Sequence, residues 1–129
     1  MTNIYVAGKW TDKDTIKKYM LELESMGHTI THDWTTFEFE TKNTKPQMAF
    51  ADIEGVKKAD MVVILMTDPE YAYRGSFTEL GAALALNKKI YLVSDAENAR
   101  ANYKTNVFFH HPLINHIESW SEFILNIDK

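Results

Sequence analysis

The chain contains no cysteine. That absence excludes disulfide staples, thiolate nucleophiles and cysteine-ligated zinc. It also lacks any apolar run approaching the ~18 residues that a membrane span needs, so no membrane association is expected. Basic residues are not in excess: 14 Lys and Arg stand against 18 Asp and Glu, a formal net charge of −4. A broad nucleic-acid footprint needs a basic face, so no nucleic-acid polymer is expected as a partner. A small anion is still within reach of one or two local cations. The Gly-x-Gly-x-x-Gly phosphate fingerprint does not occur. No signal peptide is legible ahead of the first apolar segment, and a cytoplasmic location is the expectation. Repeats, linkers and low-complexity tails are missing as well.

What is present suits one globular domain spanning residues 1–129. The chain is 45% hydrophobic with a mean hydropathy of −0.32, enough apolar content for a core. Residues 3–7 read as a short buried strand ended by Gly8. Residues 12–26 read as a helix, because Ile16, Tyr19, Met20, Leu23 and Met26 form one stripe; Thr11 or Asp12 caps it and Gly27 stops it. Residues 28–31 form a second strand, and 33–45 a polar loop carrying Trp34, Phe37 and Phe39. A helix over 46–58 starts on Pro46, a favoured first-turn residue. The continuous apolar run 60–66 predicts a central strand covered on both faces. A loop over 67–74, a helix over 76–86, a strand over 89–94 and a final helix over 119–127 follow, with a fifth strand expected at Val107–Phe109. Alternating strands and helices imply parallel pairing through right-handed crossovers. The expected fold is α/β: a Rossmann-like, flavodoxin-like three-layer sandwich with four or five parallel strands in the order 2-1-3-4-5.

Glu79 is the most informative residue. It follows the central strand by a short loop and is expected in the first turn of a helix at the ligand-binding end of the sheet. Positive potential there is expected to keep its carboxylate ionised. Locally, Ser76-x-x-Glu79 also reads as a capping box. Gly75 and Gly81 allow close backbone approach, which suits a ligand. Asp52 lies on the inward stripe of its helix with Ala49, Ile53 and Val56; an inward aspartate costs free energy unless it is paired or faces a cleft. Tyr5 is either core or a hydroxyl sent to a crevice carboxylate. Lys9 and Arg74 are the cations best placed to meet an anion, with solvated surface charge as the alternative. His110, His111 and His116 match no ligand spacing, and Pro112 breaks any helix that would align them, so no metal is expected. His32 follows the second strand at the ligand end, where it either positions substrate or is an ordinary loop residue.

Three blocks together resemble the nucleoside 2-deoxyribosyltransferase family and its nucleotide N-glycoside hydrolase relatives. They are Ile4–Trp10, Asp52–Asp60 and Gly75–Ala85, spread in order over about two thirds of the chain. The resemblance implies that Glu79 is the nucleophile at the anomeric carbon and that Tyr5 orients it. It implies a place for Asp52 near the base or sugar. The turn Gly8-Lys9-Trp10 is shorter than the Gly-x-Gly-Trp-Phe turn of many transferases. It also lacks the Ser and Arg with which the hydrolases hold a 5′-phosphate. Ser76, helped by Arg74 or Lys9, is the expected substitute. Trp10, Trp34 and Phe37 are candidates for stacking on the base. The implied partner is a small nucleoside or nucleotide, no cofactor is required, and a homodimer or higher homo-oligomer is implied. A ligand-binding module or sensor that holds a nucleotide without turnover is the rival from another class.

Overall fold

The computed structural model describes residues 1–36, 45–95 and 98–128. Five strands form one sheet: β1 (Asn3–Ala7), β2 (Thr29–Ile30), β3 (Met61–Met66), β4 (Lys89–Ser94) and β5 (Ile114–Ile117). Their order is β2-β1-β3-β4-β5, and each neighbouring pair runs parallel. Four α-helices cover the sheet: α1 (Lys13–Ser25), α2 (Lys45–Lys58), α3 (Arg74–Ala85) and α4 (Trp120–Asn126). The α/β architecture and the strand order are those expected.

The sheet is apolar on both faces because side chains alternate along each strand. Tyr5, Ala7, Val62, Ile64 and Met66 pack toward α2 and α3 with Leu80 and Ala83. Ile4, Val6, Met61, Val63 and Leu65 pack the other way, against Ile16, Met20 and Leu23 of α1 and Phe123 of α4. Every residue of β3 is buried, which accounts for its unbroken apolar run. Full burial of Ile16, Met20 and Leu23 contributes roughly 1.5–3 kcal/mol for each side chain. Gly27 ends α1 at φ 94°, a left-handed conformation that a side chain disfavours.

Three expectations need correction. The last strand is Ile114–Ile117, while Val107–His110 forms a 3-10 turn. There the Asn106 side chain accepts from the Phe108 amide at 2.9 Å and starts a turn in place of a strand. Val107 and Phe108 are exposed, so the apolar run is not a core strand. At α1, Asp12 occupies the cap position without a side-chain cap bond, and a 3-10 turn over Trp10–Asp12 leads into the helix. Helix α3 starts at Arg74, two residues early, and no capping box forms. Its cap residue is Tyr73 at φ 55° and ψ 42°, a rare left-handed conformation for a bulky side chain. The Tyr73 hydroxyl accepts from the backbone N–H of Thr67 and Asp68 at 3.0 and 2.9 Å. Those two bonds hold the loop that sets where α3 begins. Among the described residues, no helix is long and apolar enough to cross a membrane.

Candidate active site at the β1–β3 switch point

In the order 2-1-3-4-5 the direction of winding reverses between β1 and β3. A crevice opens there, outside the carboxyl ends of the strands. It holds a cavity of about 360 Å³ lined by residues of four segments. The β1 side supplies Tyr5, Gly8 and Trp10, helix α2 supplies Met48, Ala49, Asp52 and Ile53, and α3 supplies Gly75, Ser76, Thr78 and Glu79. Trp34 closes one wall.

Glu79 sits in the second turn of α3 and is only 9% exposed. The fully buried Tyr5 hydroxyl donates to Glu79 Oε2 at 2.5 Å. Burial pushes the Glu79 carboxyl up to about 8; the nearby Asp52 charge pushes the same way, and the Tyr5 hydrogen bond opposes both. The expectation of an ionised carboxylate held by the helix start is therefore corrected. Because α3 begins at Arg74, Glu79 lies beyond the first turn, where the terminal field has fallen off and desolvation decides. The Tyr5 phenol is raised well above its ordinary value by burial and by the neighbouring carboxylates Glu79 and Asp52, so it stays a proton donor.

Asp52 is half-buried and faces the same cavity, with Ala49 and Ile53 beside it and Val56 in the core below. Its Oδ1 lies 3.4 Å from Nε2 of His32. His32 itself is not among the cavity-lining residues; it stands behind Asp52. The chain around His32 is pinned. Thr31 Oγ1 donates to the Gly55 carbonyl at 2.7 Å, and Thr35 donates to Asp33 from both its amide and its hydroxyl. Trp34 Nε1 donates to the Val6 carbonyl at 2.7 Å, and its ring meets that of Trp10 at 6.3 Å between centroids, tilted 41°.

Other expected site residues are placed as follows. Ser76 is buried and lines the cavity. Lys9 turns to Asp68 at 2.7 Å and lies over the Tyr71 ring, so it is committed to the β3–α3 loop. Arg74 lines a different cavity with Phe77, Asn102 and Asn106. Phe37 and Phe39 fall outside the described residues. His110 Nε2 contacts the Lys104 carbonyl, the Leu113 amide donates to His111 Nδ1, and His116 packs on Phe109. Among the described residues, no group of three or more His, Asp or Glu side chains is arranged to hold a metal. Met48 and Thr78 are cavity residues that the sequence reading missed. Met48 lies four residues before Asp52 on the same helical face, and that spacing was the available signal.

The arrangement offers one deeply buried carboxyl with a fixed donor, a second carboxylate across the cavity, and aromatic and apolar walls. It can hold a flat heterocycle and present an oxygen nucleophile to an electrophilic carbon.

The fold has solved counterparts. A CMP N-glycosidase, BcmB, from Clostridium botulinum superposes with a TM-score of 0.68 at 21% identity, covering 98% of this chain and 97% of that one. A conserved protein from Enterococcus faecalis V583 superposes with a TM-score of 0.70 at 18% identity, covering 99% and 98%. At these identities the likeness establishes the fold. No curated protein sequence matches the chain. The family model for nucleoside 2-deoxyribosyltransferases matches residues 4–119, nearly the whole described chain and every segment that lines the cavity. The chain belongs to the nucleoside 2-deoxyribosyltransferase family, whose chemistry is cleavage or transfer at the N-glycosidic bond.

Proposed function

We propose that the protein cleaves the N-glycosidic bond of a nucleoside, deoxynucleoside or nucleoside 5′-monophosphate, with Glu79 as nucleophile. The observation that carries this reading is the 2.5 Å bond from Tyr5 to a Glu79 carboxyl that faces a cavity shared with Asp52. A Glu79 oxygen attacks the anomeric carbon as its bond to the base breaks. The bonding electrons leave with the base, which takes up a proton from a water beside the Asp52 carboxylate. The product is a glycosyl ester on Glu79. Water or a second base then attacks the same carbon and frees the carboxylate, giving hydrolysis or transfer. Positive charge on the sugar in both steps favours the ionised form of Glu79. Tyr5 holds the carboxyl in one orientation, and Trp10 and Trp34 flank the base. Ser76 meets the sugar or its 5′ substituent. The reading includes a homo-oligomeric enzyme that needs no cofactor.

The activity named for the Clostridium botulinum structure makes cytidine and its 5′-monophosphate the first members of a test panel. The four common nucleosides, their deoxy forms and their 5′-monophosphates complete it, each with and without a second base. Chromatography is expected to show free base or an exchanged base. Glu79→Gln is expected to lower the rate at least ~1,000-fold, a loss of about 4 kcal/mol of transition-state stabilisation. Wild-type turnover by that variant overturns the assignment. One feature favours a binding module: burial and the Asp52 charge push the Glu79 carboxyl up to about 8, which favours its neutral, non-nucleophilic form at pH 7. Binding of a panel member without base release at any pH up to 9 establishes that reading instead.

A further inference from the structure

Helix α2 makes an unusually close approach to the centre of the sheet at Gly55. A Cβ built there would stand 2.8 Å from Tyr5 Cδ1, 2.9 Å from Tyr5 Cε1 and 2.9 Å from His32 Cβ. Real Cβ atoms do not come this close to carbon, so a side chain at 55 forces something to move. Gly8 offers a contrast. Its shortest contact is with Cδ1 of Ile16, the far end of a flexible side chain that can swing away. At Gly55 neither neighbour can yield so cheaply. The Tyr5 ring is fully buried and stands on β1, which is paired on both sides by β2 and β3. His32 is flanked by residues tied down through Thr31, Asp33 and Trp34.

Both neighbours bear on the carboxyl groups of the site. Tyr5 holds Glu79, and His32 stands 3.4 Å from Asp52. Asp52 itself lies three residues before Gly55, on the same face of α2. The Gly55 carbonyl is also the acceptor for Thr31, which fastens α2 to the end of β2. One bare backbone position therefore touches the supports of both carboxyl groups.

We propose that Gly55 is a positioning residue for N-glycosidic cleavage: its missing side chain sets the depth of α2 against Tyr5 and His32, and so fixes Glu79 and Asp52 relative to each other. This rests on the function proposed above. Adding a Cβ either rotates the Tyr5 ring or lifts α2. In the first case Glu79 loses its donor; in the second Asp52 is drawn out of the cavity. Glycine in mid-helix costs roughly 1 kcal/mol relative to alanine, so its use here is not explained by helix stability.

The test is Gly55→Ala, read in two ways. By kinetics, kcat on the best panel substrate is expected to fall at least tenfold, with KM changed by less than threefold and the melting temperature within a few degrees of wild type. By carboxyl ¹³C NMR, the Glu79 titration is expected to leave the wild-type midpoint: upward when the Tyr5 bond is lost, downward when Asp52 withdraws. These are the titratable side chains that face Glu79 from β1 and α2. A folded Gly55→Ala protein with wild-type kcat and an unmoved Glu79 midpoint overturns the proposal. If that variant does not fold, Thr31→Val loosens the same turn of α2 more gently; it is expected to lower kcat severalfold and move the Glu79 midpoint, and no change in either overturns the proposal. The titration separates the two levels of inference. A protein that releases no base but whose Glu79 midpoint moves in Gly55→Ala refutes the cleavage reaction and leaves the positioning geometry standing.

Discussion

The hydroxyl of Tyr5, in the middle of β1, reaches Glu79 Oε2 in the second turn of α3 at 2.5 Å, across 74 residues of sequence. Through it the sheet holds the carboxyl directly. The bond favours the ionised form of a group that burial and Asp52 both push toward neutrality.

That opposition fixes a pH dependence. If Glu79 must be ionised to attack, kcat/KM rises with pH toward a limb near 8, well above the ordinary carboxylate range. Tyr5→Phe removes the one interaction that lowers the midpoint, so its limb moves to higher pH. Asp52→Asn removes a negative neighbour, so its limb moves to lower pH. Initial rates from pH 5 to 9.5 for the three proteins check both signs.

The same group makes folding stability depend on pH. The native protein holds a proton on Glu79 that the unfolded chain releases near its ordinary value of 4.5. The native state therefore binds more protons between about 4.5 and 8. This contribution to stability is fully present below 4.5 and is lost as pH rises through 8, on the order of a few kcal/mol. Glu79→Gln is expected to be the more stable protein at pH 8 by that margin, with the gap closing at pH 4.5. Urea unfolding of both proteins at the two pH values reads it directly.

Ser76 and Arg74 separate as sites of substitution. Ser76→Ala removes a hydroxyl from the wall of the cavity and is expected to raise KM about tenfold for whichever substrate it contacts, nucleoside or 5′-monophosphate. Arg74→Ala alters a neighbouring cavity and is expected to leave KM for both within twofold. A selective rise in the monophosphate KM of Arg74→Ala contradicts this division.

Tyr73→Phe deletes the acceptor for two backbone N–H groups at the end of β3. A loss of roughly 1–3 kcal/mol is expected, measured by urea unfolding at one pH. If stability is unchanged, those bonds do not hold the entry to α3.

Much of this arrangement was legible in the sequence because it follows from periodicity. The unbroken apolar run of β3 and the alternation of strands with amphipathic helices gave the sheet order. The inward position of Asp52 followed from its spacing to Val56. What was not legible depends on single backbone conformations. A tyrosine at φ 55° carries no sequence mark, so the start of α3 was placed at Ser76, with Glu79 in its first turn. That shift also misplaced Arg74. As a helical residue it points about 200° away from Ser76, two positions on, and shares its face with Phe77. The Val107–Phe109 run looked like a strand because its exposure is set by a side-chain cap at Asn106, which composition does not reveal. The closeness of Gly55 to Tyr5 and His32 is a tertiary fact; only the choice of glycine inside an otherwise good helix hinted at it.

Tyr73 has one more effect. The amides of Thr67 and Asp68 follow directly on the carboxyl end of the central strand, where a chain leaving a sheet needs new partners for its backbone donors. A phenol from the same chain already fills them. One side chain thus closes both donors and starts α3, so the connection from strand to helix is tied off from within the protein.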